Sequence, residues 1–285
     1  MKAFLLSLLS LFPNFCSANI SQNAKHVILV SMDGAAPYVI HQSNMPNLKK
    51  MAREGSYTWT AKTILPSITL PSHTSMVTGV GPEVHGILWN DWIPENGLVK
   101  VATVFSLAKQ NGSSTALITA KPKFRHLDVP GTIDNFELVI GDADRVAHKA
   151  VQVFREQRPN FMMVHFRDAD AAGHALGWGS REQKKSLEVV DAALGELLKM
   201  IEDLDLLNDT VFIVTADHGG HKKTHGSNLP EDVNIPWIAF GKGAHQGAQV
   251  QPIRTLDTAA TSLWLLGIPV PKSFQGQPVL SAFQF

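Results

Sequence analysis

Val211-Phe-Ile-Val-Thr-Ala-Asp217-His218-Gly-Gly220 is an apolar run that stops on a carboxylate and an imidazole, with His225 seven positions after the imidazole. Two other runs end in the same way. One is His26-Val-Ile-Leu-Val-Ser-Met-Asp33; the other is Phe161-Met-Met-Val-His-Phe-Arg-Asp-Ala-Asp170, followed by His174. Short, nearly continuous apolar runs of this kind read as strands buried on both faces. Three of them lying parallel would carry acids and imidazoles to one edge of a sheet.

Working outward, strand-like runs at 26–32, 114–120, 135–140, 160–166, 210–216 and 235–240 alternate with helical patterns at 44–54, 70–79, 100–110, 141–156, 181–204 and 254–266. The clearest helix is 181–204, where Leu187, Val190, Leu194, Leu197, Ile201 and Leu204 fall on one stripe. This alternation predicts an α/β fold: a mostly parallel central sheet with helices on both faces. In such sheets ligands bind beyond the carboxyl ends of the strands, where Asp33, Asp170 and Asp217 fall. Residues 81–100 and 219–234, rich in Gly, Pro, Asn and His, read as loops over that edge. The tail 267–285 reads as irregular structure with a final short strand.

With 25 basic and 25 acidic side chains among 285 residues the formal net charge is zero, so no overall imbalance favours a nucleic-acid duplex or an anionic membrane. Any attraction for anions must be local. One lysine, then a short apolar core, then small residues around Ala18 read as a secretory signal over residues 1–18, leaving 19–285 as a single domain. The chain is then expected to be exported, periplasmic or secreted, with an uncleaved N-terminal anchor as the alternative. No span of the membrane is expected after signal removal. Cys16 is the only cysteine and leaves with the signal, which excludes disulfides and thiolate metal ligands from the mature chain.

Carboxylates and imidazoles without sulfur suit Zn²⁺ or a similar first-row ion. Asp33, Asp217 and His218 would hold one divalent ion, and Asp170, His174 and His225 a second. Three acids against two such ions leave about one positive charge, which would attract an anion to a neutral protein. Pro66-Ser-Ile-Thr69-Leu-Pro71 precedes an apolar helical stretch, with proline suited to a first helical turn. Thr69 would sit at that helix N-terminus, where the dipole favours phosphate and a neighbouring ion helps ionise the hydroxyl. The same position also suits an ordinary helix cap.

Taken together, Met32-Asp33-Gly34, Leu65-Pro-Ser-Ile-Thr69-Leu-Pro-Ser-His-Thr-Ser-Met-Val-Thr78-Gly79, His85-Gly-Ile-Leu-Trp-Asn90, Asp170-Ala-Ala-Gly-His174 and Asp217-His218-Gly219 with His225-Gly226 resemble the alkaline phosphatase superfamily. Within it they look most like the type I phosphodiesterase/nucleotide pyrophosphatase branch. The resemblance implies an alkaline-phosphatase-like fold and two zinc ions. It implies Thr69 as the nucleophile that becomes phosphorylated, beside the ion of Asp33, Asp217 and His218, with the other ion activating water for the second step. It also implies Asn90 as donor to a non-bridging phosphate oxygen, with a turn residue in Asn-Asp-Trp as the lesser alternative. The substrate would be a small phosphate ester, a nucleotide among the candidates, with diester or pyrophosphate cleavage ahead of monoester cleavage. Leu70 stands where nucleotide-hydrolysing relatives often carry an aromatic residue, which counts against a nucleotide preference. Ala120-Lys121-Pro-Lys-Phe-Arg125 either brings Lys121 over the phosphate or forms a solvated basic loop. His221 reads as solvated or as a neighbour of the ligands.

Overall fold

A computed structural model describes residues 23–285; the expected signal segment, with Cys16, lies outside the described residues. The strands are β1 His26–Met32, β2 Ser56–Lys62, β3 Thr115–Thr119, β4 Asn135–Leu138, β5 Phe161–Phe166, β6 Thr210–Thr215, β7 Asn234–Gly241 and β8 Ala248–Gln249. They form one sheet in the order β4-β3-β5-β1-β6-β7-β2-β8. β4, β3, β5, β1 and β6 run parallel, whereas β7 is antiparallel to both β6 and β2. The sheet is therefore mixed but mostly parallel, and the fold is alkaline-phosphatase-like.

β1, β3, β5 and β6 are buried at every position, as expected of strands covered on both faces. On one face the helices Pro46–Glu54, Ala143–Gln157 and Arg181–Asp203 pack together; on the other, Thr69–Thr78, Val104–Gln110 and Asp257–Leu265 do. Ser180 caps the longest helix by accepting from the Gln183 amide at 3.2 Å, and Leu187, Val190, Leu194, Leu197 and Ile201 are buried along it. Among the described residues no helix is long and apolar enough to cross a membrane.

The register places the site. Ser31 pairs with His165 on one side and Thr215 on the other, and His165 pairs with Thr119. Two residues beyond three members of that row come Asp33, Asp217 and Lys121. Side chains alternate along a strand, so positions two apart project to the same side. Acids and lysine are thus delivered together.

Three expectations differ from the structure. β2 lies in a stretch with no strand expected, and the helix Asp168–Leu176 follows β5 directly, so that Asp170 and His174 stand one helical turn apart. The tail holds a 3₁₀ turn at Leu280–Ala282 and a single bridge between Ala244 and Phe283 instead of a final strand.

Candidate metal centre

Asp33 and Asp217 leave β1 and β6, and both are fully buried with His218. Asp33 Oδ1 lies 3.4 Å from His218 Nε2, and Asp217 Oδ2 lies 3.3 Å from the same nitrogen. The Thr69 hydroxyl is 3.4 Å from that nitrogen. Asp170, His174 and His225 form a second group nearer the surface. There Asp170 Oδ1 is 3.3 Å from His174 Nε2 and 3.6 Å from His225 Nε2, and the two imidazole nitrogens are 3.1 Å apart. Within each group one atom per residue lies within 4.8 Å of the others.

The donor chemistry of these atoms fits a cation. His218 Nδ1 lies 2.7 Å from the Gly219 carbonyl, His225 Nδ1 2.8 Å from that of Ser67, and His174 Nδ1 3.1 Å from that of Lys223. A carbonyl only accepts, so each Nδ1 carries a hydrogen and a neutral ring then turns an Nε2 lone pair inward; burial lowers His218 and His225, whereas the bond to Asp170 raises His174. The carboxylate atoms they face, Asp33 Oδ1, Asp170 Oδ1 and Asp217 Oδ2, are buried and have no hydrogen-bond partner. Buried lone pairs converging on one another are unfavourable unless a cation lies among them. One orphaned oxygen from each acid, three in all, is what two shared divalent ions would explain.

Electrostatics point the same way. Burial and the Asp33 charge push Asp217 well above the usual carboxylate range. Asp33 goes the other way: burial raises it, but the Lys121 ammonium and His165 outweigh that and hold it well below. Burial and Asp33 push Asp170 up as well, yet His174 and Lys121 bring it to about 2. His218 is driven down to about 4 by burial and by His225, so its imidazole is neutral.

Thr69 opens its helix with Ile68 in the capping position, and no side chain caps that end. The Thr69 hydroxyl is therefore not spent on capping, contrary to the plain helix-cap reading. Asn90 Oδ1 accepts the Leu70 amide at 2.8 Å, which leaves its N–H₂ as a donor beside the backbone that follows Thr69. Leu70 itself is fully buried, so it offers no surface for stacking.

Lys121 overturns the solvated-loop reading. Its side chain is 15% exposed, and its ammonium lies 2.5 Å from Asp33 Oδ2 and 2.6 Å from Asp170 Oδ2, the second oxygen of one acid from each group. Burial lowers its pKa, but the surrounding carboxylates of Asp33, Asp170 and Asp217 outweigh that and raise it. The basic stretch after it is a 3₁₀ helix, Pro122–Leu127.

Several residues around the centre escaped notice in the sequence. His165, inside the apolar β5, donates through Nε2 to Asp33 Oδ2 at 2.9 Å. His73 bridges from Ser31 Oγ at 2.7 Å to the Thr69 carbonyl at 2.8 Å. Asp232 holds the loop that carries His225, accepting from His221 Nδ1 at 2.7 Å and the Ser227 amide at 2.9 Å. His221 thus belongs to the scaffold of that loop. Only His73 carried a signal, four residues past Thr69 on the same helical face.

Comparison with known proteins matches residues 27–229 to a family model described as type I phosphodiesterase / nucleotide pyrophosphatase. Ectonucleotide pyrophosphatase/phosphodiesterase family member 1 of Mus musculus is 27% identical over 247 residues, covering 76% of this chain and 27% of the relative. The bis(5'-adenosyl)-triphosphatase of Bos taurus is 25% identical over 239 residues, covering 77% of this chain and 53% of the relative. The chain thus spans about a quarter to a half of the length of these curated relatives. Murine ectonucleotide pyrophosphatase / phosphodiesterase 5, solved in complex with AMP, superposes with a TM-score of 0.78 at 16% identity, covering 91% of this chain and 100% of that one. That likeness is one of fold.

Proposed function

The chain belongs to the type I phosphodiesterase/nucleotide pyrophosphatase family, and from that premise we propose that it hydrolyses phosphate diesters or pyrophosphates through a phosphorylated Thr69. The observation that carries this reading is the convergence of Asp33 Oδ1, Asp217 Oδ2 and the Thr69 hydroxyl on one imidazole nitrogen at the start of a helix. Asp33, Asp217, His218 and Thr69 would hold one divalent ion, and Asp170, His174 and His225 the other, zinc by the absence of sulfur and the mix of oxygen and nitrogen donors. When bound, the two ions supply Lewis acidity that lowers the pKa of hydroxyl and water and neutralises phosphoryl charge.

The chain's own residues do the rest. Thr69 Oγ gives up its proton and attacks phosphorus, the P–O bond to the leaving group breaks in line and the leaving oxygen takes up a proton, so the phosphoryl group, with its remaining ester where the substrate is a diester, is held on Thr69; water then attacks phosphorus from the vacated side, the P–Oγ bond breaks and Oγ regains a proton. The helix N-terminus behind Thr69 favours the phosphate electrostatically. Asn90, its carbonyl oxygen engaged by Leu70, donates N–H to a non-bridging oxygen and stabilises charge that grows in the transition state. A nucleotide substrate is supported by what the relatives are named for, whereas buried Leu70 provides no stacking partner.

Lys121 favours a second reading, phosphomonoester hydrolysis on the same centre. Its charge, added to that of two divalent ions, suits a doubly charged phosphoryl group better than the single charge of a diester. The proposal extends to export of a single domain over 19–285, periplasmic or secreted, supported by the pattern of residues 1–18.

Paired aryl monoester and diester substrates, with acid-quenched labelling of the protein by phosphate, test these readings. Thr69→Ala is expected to abolish both turnover and label; labelled, active Thr69→Ala protein would refute the nucleophile. Lys121→Ala is expected to lose monoester and diester turnover alike if diesters are the substrate class. Selective loss of monoester turnover would establish the second reading.

A further inference from the structure

Trp178 follows the helix that carries Asp170 and His174, and it touches that helix, the residue after Asp33 and the loop from Gly220 to His225. Its indole meets the His174 ring edge-on, with centroids 5.2 Å apart at 86°, and the His225 ring at 5.8 Å and 63°. Its Nε1–H donates to the Gly34 carbonyl at 2.9 Å, one residue past Asp33. Its backbone N–H donates to the Lys222 carbonyl at 2.6 Å, next to the Lys223 carbonyl that accepts from His174 Nδ1. The residue is 8% exposed.

The seat for this indole is built by omission on two sides. A Cβ on Gly173 would stand 2.7 Å from the ring, and one on Gly220 only 2.2 Å from it. Gly173 precedes His174, and Gly220 lies in the loop between His218 and His225. Two chain segments that carry ligands therefore lack side chains at the points where the indole enters. His225 also stacks on His218, with centroids 3.7 Å apart and planes 13° apart. The imidazole thus has one stacked neighbour, His218, and one edge-on neighbour, the indole.

We propose that Trp178 is a positioning residue for the second metal group: its indole sets the rings of His174 and His225 so that their Nε2 atoms converge on Asp170, while its Nε1–H ties that arrangement to the backbone beside Asp33. This rests on the reading of Asp170, His174 and His225 as ligands. Hydrogen bonds from Nδ1 fix which nitrogen faces inward but leave each ring free to tilt about that bond, and His174, with its side chain 46% exposed, has few other neighbours to stop it. Edge-to-face packing against a rigid indole removes that freedom, as indirect supports of metal-binding imidazoles do elsewhere.

Zinc titration of metal-stripped protein against a competing chromophoric chelator tests this, with wild type, Trp178→Phe and Trp178→Ala compared. Wild type is expected to take up two equivalents. Trp178→Phe, which keeps a ring but loses the N–H and part of the contact, is expected to bind one equivalent as wild type does and the other about 10- to 100-fold more weakly. Trp178→Ala should weaken the same equivalent further, and Trp178→Phe reports the effect even where the alanine variant fails to fold. Cobalt should quench indole emission as the second equivalent binds, a change absent from Trp178→Phe. Two equivalents of undiminished affinity in Trp178→Phe would overturn the positioning role, and so would equal weakening of both. A wild-type protein that binds fewer than two equivalents would instead overturn the two-ion reading, and this proposal with it.

Discussion

Replacing Lys121 by methionine should cost much stability in the metal-free protein and little in the zinc-loaded one. The ammonium sits 2.5 Å from Asp33 Oδ2 and 2.6 Å from Asp170 Oδ2, with Asp217 close enough to feel its charge. At an effective dielectric of about 20, an ammonium roughly 2.6 Å from a carboxylate gains on the order of 6 kcal/mol before desolvation is counted. Desolvating the partners takes back much of that, and breaking one side of a buried ion pair costs about 3–5 kcal/mol in practice. Methionine keeps the aliphatic stem, so the loss reports the missing charge. Without metal, Asp33 and Asp170 would face each other uncompensated, and one must take up a proton. Both are depressed in the folded wild type, so their contribution is present above the unfolded carboxylate range and is lost as pH falls through their folded values. In the variant that depression is gone, so the deficit against wild type should be full above the unfolded carboxylate range and shrink as pH falls below about 4 toward about 2. Zinc supplies the missing positive charge, so the deficit in saturated protein should drop below about 1 kcal/mol. Urea unfolding of chelator-treated and zinc-saturated protein measures both. Equal deficits with and without zinc, or a metal-free variant as stable as wild type, would refute the reasoning.

Other consequences follow from the same contacts. Asn90→Ala should lower kcat on a diester by about 10²–10³-fold through loss of one donor. Asn90→Asp should be worse, because it still accepts the Leu70 amide but sets a negative charge beside the phosphoryl group; an aspartate variant faster than the alanine one would remove Asn90 as a donor. His85 is held down to about 4, chiefly by burial, with the Ile87 amide donating to its Nδ1 at 3.1 Å and Ser75 Oγ 3.0 Å from Nε2. Its folded value lies below the unfolded 6.5, so the unfolded chain binds the proton first. Stability is therefore intact above about 6.5 and falls by about 1.4 kcal/mol per pH unit between there and about 4. Comparing urea midpoints of wild type and His85→Gln over that window should show the slope in wild type alone. Chelator treatment should abolish hydrolysis, with activity restored by zinc, and acid should release metal as His174, His218 and His225 protonate; full activity after exhaustive metal removal would contradict the two-ion centre.

The acids and imidazoles were legible because each follows an apolar run, and a parallel sheet gathers such ends at one edge. β2 was not: Ser-Tyr-Thr-Trp-Thr-Ala-Lys offers no Val or Ile, and its burial alternates because it lies near the sheet's edge beside β7 and β8. The helix Asp168–Leu176 was hidden by its small size, although the four-residue step from Asp170 to His174 was in plain view. Lys121, which the sequence left between two readings, and His165, which it passed over, were undecided for a different reason. Each belongs to the centre only because β3 lies beside β5 and β5 beside β1, and strand order is not written in any one strand. A lysine two residues past a buried strand and a histidine within one are bland in isolation, more often solvated or core than functional. Once the row Thr119, His165, Ser31, Thr215 is known, alternation places Lys121, Asp33 and Asp217 on one side of it and leaves no freedom. The ion pair between Lys121 and Asp33 and the contact of His165 with Asp33 then follow from a single unknown, the order of four strands. A topology determined at backbone level would have been enough to read both.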